Sequence, residues 1–156
     1  MTWAIREGRV DEIERLVELR MGMFEAMSLL DEKNRVRTRA ACLAYFRETI
    51  SSEAFRVWVA VSKAAVPIAS VGLVVHSVPP SPANSIGKVG YIMNLVTLPE
   101  WRRKGIARAL LTHVLDVLRE EGVPVASLHA SVDGRALYEE LGFEVRDTLP
   151  EMVLRL

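Results

Sequence analysis

Apolar and polar positions along this chain repeat with two different periods. Trp3-Ala4-Ile5-Arg6 reads as a short strand. Asp11 can cap a helix in which Ile13, Leu16, Val17, Arg20, Met23 and Phe24 recur near helical spacing. The polar break Asp31-Glu32-Lys33-Asn34 precedes a second helix through Ala40, Leu43, Tyr45 and Phe46. Arg56–Val61 and Ala69–Val78 are apolar strands separated by a turn at Val66-Pro67. Residues 79–84, with three prolines, form a stiff loop, so the strands on either side make a hairpin. Lys88–Leu98 is the central strand, ended by Pro99. A helix from Gly105 carries Leu110, Leu111, Val114, Leu115 and Leu118 on one face, and Gly122 and Pro124 stop it. Val125–Ala130 is a buried strand, Gly134–Leu141 a short helix closed by Gly142, and 143–145 and 152–154 the last two strands.

The order β-α-α-β-β-β-α-β-α-β-β predicts an α/β (α+β) fold with about seven strands and four helices. Parallel neighbours require a crossover, so the central strand and the 125–130 strand are expected parallel, joined by the helix from 105. The rest of the sheet is expected to be mostly antiparallel. With 156 residues, no repeat and no long linker, residues 1–156 read as one domain.

Composition narrows the function. Half the residues are hydrophobic, which argues against disorder. Twenty basic side chains balance twenty acidic ones, so nucleic acid is not an expected partner. No apolar run approaches the roughly 20 residues of a membrane span, and early charges such as Arg6 and Asp11 interrupt any signal peptide. The single cysteine, Cys42, fits a reducing compartment, and a cytoplasmic protein is expected. No Cys, His and Asp set has metal-ligand spacing, so no metal is expected.

The chemistry concentrates after the central strand, in Arg102-Arg103-Lys104-Gly105-Ile106-Ala107-Arg108. A basic, Gly-containing turn opening a helix binds phosphate, because the first helical N–H groups have no partner within the helix. Cations at a helix N-terminus are unfavourable without an anion. The spacing R-x-x-G-x-A resembles the acyl-CoA pyrophosphate loop of the GNAT (Gcn5-related N-acetyltransferase) superfamily. Downstream, Leu137-Tyr138-Glu139-Glu140-Leu141-Gly142-Phe143 resembles the last motif of that family, one helix and one strand further on. The resemblance runs from Trp3 to Leu156 and is least specific over residues 11–53.

The resemblance implies a GNAT fold with a sheet splayed at its two parallel strands, and acetyl-CoA as co-substrate. The phosphates would lie on the amides from Arg103 through Lys104, Gly105, Ile106 and Ala107 to Arg108, with the side chains of Arg102, Arg103, Lys104 and Arg108 adding charge. The pantetheine arm would run along Leu95-Val96-Thr97, and the Leu95 N–H would face the thioester oxygen as a small oxyanion site. Tyr138 matches the tyrosine that protonates the leaving thiolate. Ser131 stands where many members place an asparagine that contacts the cofactor, and its reach is shorter.

No general base is evident, because Tyr91, Met93 and Asn94 occupy the strand that supplies a glutamate in some members. Glu25, His76 and a water chain remain alternatives, and a lone His76 or His129 on an apolar strand is more often structural. Phe24, Glu25 and Asn94 are candidate acceptor contacts. Met21, Met23 and Met27 fit an adaptable pocket or a core stripe equally well. Arginines 35, 37, 39 and 47 fit an acidic acceptor group or a solvated face. Cys42, among Ala40, Ala41 and Leu43, reads as a buried thiol. The expected activity is acetyl transfer to a primary amine by direct attack, the acceptor being a small or amino-acid-like amine. The alternatives are a protein N-terminus or lysine, or a non-catalytic acyl-CoA sensor. A homodimer is left open.

Overall fold

The computed structural model describes residues 2–156. Among them lie β1 (Trp3–Glu7), α1 (Ile13–Ala26), α2 (Arg35–Thr49), β2 (Arg56–Ser62), β3 (Pro67–Ser77), β4 (Lys88–Thr97), α3 (Ile106–Glu120), β5 (Val125–Ser127) and α4 (Arg135–Glu140). The strands form one mixed sheet in the order β1-β2-β3-β4-β5. Each pair from β1 to β4 is antiparallel, and β4 and β5 are parallel with α3 between them in the chain, as the crossover rule requires.

Both faces of the sheet are covered, so the interior of β2 reads Val57-Trp58-Val59-Ala60-Val61 without polar alternation, and all five are buried. Trp58, Ala60 and Ile92 pack with Ile106, Leu110, Leu111, Val114 and Leu118 of α3. Each of those α3 side chains is almost wholly buried, and each contributes roughly 1.5–3 kcal/mol of transfer free energy. Val57, Val59 and Val61 pack on the other face with Leu16, Val17 and Phe46 of α1 and α2. Met21 and the Cys42 thiol belong to this second cluster, whereas Met27 is exposed, so the methionines divide between core and surface.

Arg39 and Arg47 both reach Glu14, and Arg35 reaches Glu25 at 2.5 Å. Three of the four α2 arginines therefore strap α2 to α1. The 79–84 loop does join a hairpin: Asn84 Oδ1 accepts the Gly87 amide at 2.9 Å, and its Nδ2 donates to the Lys88 carbonyl at 3.0 Å.

Three expectations are corrected. The sheet has five strands among the described residues, not about seven. Residues 143–145 and 152–154 carry no strand, and Met152, Val153 and Leu154 are all exposed. With neither face buried, nothing fixes a register there, and the three residues of β5 offer a short template. The fifth strand is half-buried rather than buried and ends at Ser127 rather than Ala130, because the chain parts from β4 there and His129 and Ala130 are exposed. Finally, Asp11 does not cap α1. It lies inside a 3₁₀ turn, Val10–Glu12, and Glu12 anchors the turn instead by accepting from Arg6 (2.8 and 2.5 Å) and from the Arg9 amide (3.1 Å).

Candidate functional site

The site grows from an interruption in β4. Ser70 pairs with Val96 and Gly72 with Met93, so Val71 alone stands opposite Asn94 and Leu95. This is a β-bulge, and it holds Asn94 at φ 54°. On the other edge of β4 the pairing with β5 runs only over Val89–Val125, Gly90–Ala126 and Tyr91–Ser127. Beyond Tyr91 the strands part, and Ile92–Thr97 present an unpaired edge on that side. An extended chain can add to such an edge as a further strand would. Thr97, at its end, has the one buried side-chain polar atom without a partner among the described residues, its Oγ1. A buried hydroxyl left unpaired is costly unless something else supplies the bond.

The slot leads to the turn before α3. Arg103 adopts φ 61° and Gly105, the residue capping α3, φ 75° with ψ 2°. Backbone turns with left-handed residues of this kind form concave nests of N–H groups. Among the described residues, no backbone or side-chain group accepts from the six amides of residues 103–108. A Cβ on Gly105 would meet no protein atom within 4 Å, so the space above it is open. Six consecutive free amides at the positive end of a 15-residue helix make an anion cradle. Arg103 and Lys104 are exposed beside it. Arg102 Nε instead donates to the Thr97 carbonyl at 3.2 Å, tying the end of β4 to the turn. Arg108 is engaged with Glu140 of α4, so its charge is partly neutralised.

That ion pair also brings α4 to the slot. Tyr138 packs edge-on to Phe143, with ring centroids 6.0 Å apart, and lies against Gly134, where a Cβ would fall 3.0 Å from its Oη. Gly134 is therefore required to admit the ring. Burial raises the Tyr138 phenol above its ordinary value, which keeps it protonated through neutral pH. A protonated phenol can act as an acid. Ser131 holds the turn before α4: its carbonyl accepts from Gly134 and Arg135, and its Oγ accepts from Gly134 at 3.2 Å. The hydroxyl keeps its own proton to donate.

On the α1 side, Arg20 lies 4.5 Å above the Phe24 ring and hydrogen-bonds Asn94 Oδ1. Arg20, Phe24 and Asn94 thus meet at the bulge, and Arg20 is an addition to the sequence candidates, since helical spacing marks it only as one member of the α1 stripe. Glu25 is not with them, because Arg35 holds it at the end of α1. His76 is exposed near the end of β3.

The groups present fit a thioester carried on an extended arm with a phosphorylated end: an open edge, an orphaned hydroxyl and an anion cradle lie in series.

Known proteins resemble the chain in the same places. The model of the acetyltransferase (GNAT) family matches residues 14–143, a span containing the bulge, the cradle and α4. A predicted acetyltransferase from Clostridium acetobutylicum, solved with acetyl-CoA, is 24% identical with TM-score 0.87, over 97% of this chain and 96% of that one. A GCN5-related N-acetyltransferase from Ralstonia eutropha is 25% identical with TM-score 0.86, over 97% and 99%. The ribosomal protein bS18-alanine N-acetyltransferase of Escherichia coli is 38% identical over 55 residues, which is 33% of this chain and 37% of that protein. The chain thus matches little more than a third of the length of that curated relative. The family match extends over most of the chain and agrees with a fold shared almost end to end: the chain belongs to the GNAT acetyltransferase family.

Proposed function

We propose that this chain is an acetyl-CoA-dependent N-acetyltransferase that moves the acetyl group to a primary amine by direct attack in a ternary complex. The observation that carries the reading is the run of six unpartnered amides, residues 103–108, at the end of an unpaired strand edge. The pyrophosphate of acetyl-CoA would take those amides, with Arg103 and Lys104 adding charge. Its pantetheine arm would lie along Leu95-Val96-Thr97, giving Thr97 Oγ1 its missing partner, and Ser131 could donate one bond more. At the bulge the Leu95 N–H would polarise the thioester oxygen, a donor worth most where charge develops. As the amine nitrogen bonds the carbonyl carbon, the C–S pair leaves on sulfur and takes the Tyr138 proton.

A small, amino-acid-like acceptor is favoured by Arg20. Its guanidinium is partly buried at the bulge, pairs with no carboxylate among the described residues, and keeps donors beyond the one used on Asn94. A protein N-terminus is the second reading, favoured by the similarity to the bS18-alanine enzyme. Release of CoA thiol against a panel of free amino acids, simple amines and alanine-terminated peptides separates the two. No release with any amine would leave a non-catalytic acyl-CoA sensor. The cofactor assignment is tested by Gly105→Val. A Cβ there meets no protein atom within 4 Å, so the added side chain would enter the cradle, and it strains φ 75°. Acetyl-CoA affinity should fall by at least about tenfold by calorimetry. Unchanged affinity in a folded variant would refute the cradle.

A further inference from the structure

Three titratable side chains from three parts of the chain meet beside the slot, and neither the cradle nor Tyr138 uses them. Tyr91 Oη lies 2.7 Å from His129 Nδ1, and His129 Nε2 lies 2.8 Å from Glu151 Oε2. The rings of Tyr91 and His129 meet edge to face, with centroids 5.6 Å apart. Tyr91 belongs to β4, His129 follows β5, and Glu151 lies in the C-terminal segment.

We propose that Tyr91, His129 and Glu151 form the proton relay that deprotonates the acceptor amine, with the Tyr91 phenol oxygen as its substrate end. The inference rests on the acetyl-transfer reading above.

Placement comes first. Gly90 and Ile92 face α3, because a Cβ on Gly90 would strike Leu118 and Ile92 packs in the α3 cluster. Strand alternation then turns Tyr91 to the α1 and α2 face, with Met93. Tyr91 is also the last β4 residue paired to β5. Its side chain therefore stands where the slot opens, on the face that carries Arg20, Phe24 and Asn94. His76 of β3, in register with Val89, is a further titratable group on this part of the face.

The hydrogen-bond directions follow from what each group can do. An ionised Glu151 can only accept, so His129 Nε2 carries the proton. In the neutral imidazole Nδ1 is then a lone pair, and the Tyr91 hydroxyl must donate to it. The phenol oxygen is left with its lone pairs free to accept from an amine. The ammonium form of the acceptor gives one proton to Tyr91 Oη while the Tyr91 proton passes to His129 Nδ1. Glu151 balances the imidazolium. The neutral amine then forms the N–C bond and the C–S bond breaks, its pair going to sulfur. The remaining surplus N–H proton replaces the one that Tyr138 gives the thiolate. His129 returns its proton to water, as its 66% exposed side chain allows. Glu151 is a positioning residue: it fixes the tautomer and touches no substrate, the logic by which a carboxylate sets a catalytic imidazole elsewhere.

The test uses the full chain and the amine that gives the fastest thiol release in the panel. kcat/KM is followed against pH for the wild type, Tyr91→Phe, His129→Gln, Glu151→Gln and the double Tyr91→Phe/His129→Gln variant. The wild type should show an acidic limb of slope one. Tyr91→Phe and His129→Gln should each lose about 10²-fold and flatten that limb, and Glu151→Gln should lose less. The double variant should be no worse than either single one, because one relay is broken once. Acetyl-CoA affinity should stay unchanged throughout. Multiplying losses, or a native rate and profile in His129→Gln with only thermal stability reduced, would overturn the relay and leave the trio as a clasp on the C-terminal segment. A wild type that binds acetyl-CoA but releases no thiol with any amine would overturn acetyl transfer and the relay together, while leaving the cofactor site standing.

Discussion

Thr97 and Tyr138 show how single atoms at this site can be tested against their structural roles. The Thr97 hydroxyl is buried without a partner, so Thr97→Val removes an unsatisfied group while keeping shape. The unliganded protein should become more stable by about 1 kcal/mol, and acetyl-CoA should bind about fivefold more weakly. Melting curves and calorimetry on the same variant read both signs, and a loss of stability with unchanged affinity would remove Thr97 from the slot. Tyr138→Phe keeps the ring that fills the space over Gly134 and packs on Phe143. As the thiolate's proton donor, Tyr138 should show a fall in turnover of about 10²-fold on loss of its hydroxyl, with acetyl-CoA affinity little changed. The phenol's ionisation is displaced upward by burial, so loss of the Tyr138 proton should cut the wild-type rate only in strong alkali, well apart from any acidic limb. A near-native rate for Tyr138→Phe across a pH series would assign the proton to solvent. The tyrosine and the loop were legible because each sits in a dense motif. Arg20 was not, since its meaning depends on Asn94, 74 positions away.

Elements tell a similar story at longer range. The helix of strongest apolar stripe, α3, and the parallel pair it links follow from periodicity and the crossover rule. The bulge in β4 has no period to betray it, because Asn94 reads as one more strand residue until Val71 is seen opposite two partners. The start of α1 is hidden from the sequence for a related reason. Asp11 suits a cap by type, but Arg6 on β1 draws Glu12 into the role, and only the fold brings those two together. The Arg6 hydrogen bond holds the Glu12 carboxyl below the usual glutamate range. A depressed carboxyl stabilises the fold above the ordinary glutamate value, and the contribution is lost as pH falls through the folded value. Glu12→Gln should therefore cost about 1–2 kcal/mol near neutrality, and its difference from the wild type should vanish in acid. Denaturant melts at several pH values check this, and a gap that widened on acidification would contradict it. Packing between elements is as specific. A Cβ at Gly90 would lie 2.6 Å from a methyl of Leu118, itself buried under β4, so Gly90→Ala should destabilise by about 1–3 kcal/mol. An unchanged denaturation midpoint would mean that α3 yields there without strain.

Over the whole molecule, the sheet separates two apolar clusters, and the proposed cofactor path crosses between the elements they hold. The cradle is the mouth of α3, which packs on one face, while the bulge is pinned by Arg20 from α1 on the other. The parted strands lie between, and α4 is tied back by Arg108 and Glu140. A molecule filling this path would therefore bridge elements that pack on opposite faces of the sheet. Binding to the folded chain alone stabilises it by mass action, about 2.7 kcal/mol at a hundred times Kd. For a domain of this size each kcal/mol raises Tm by about 2–4 °C. Acetyl-CoA at that excess should thus raise Tm by roughly 5–10 °C. The phosphate end should dominate that shift, because the amides of residues 103–108 have no other acceptor. S-acetylpantetheine, which lacks the nucleotide and the pyrophosphate, should give far less. Added salt should reduce the acetyl-CoA shift by screening the exposed Arg103 and Lys104, without abolishing it, since the amide bonds and the pantetheine contacts remain. Equal shifts from acetyl-CoA and S-acetylpantetheine would place the binding energy in the slot and deny the cradle its role. No shift from either would remove the path as a ligand site altogether.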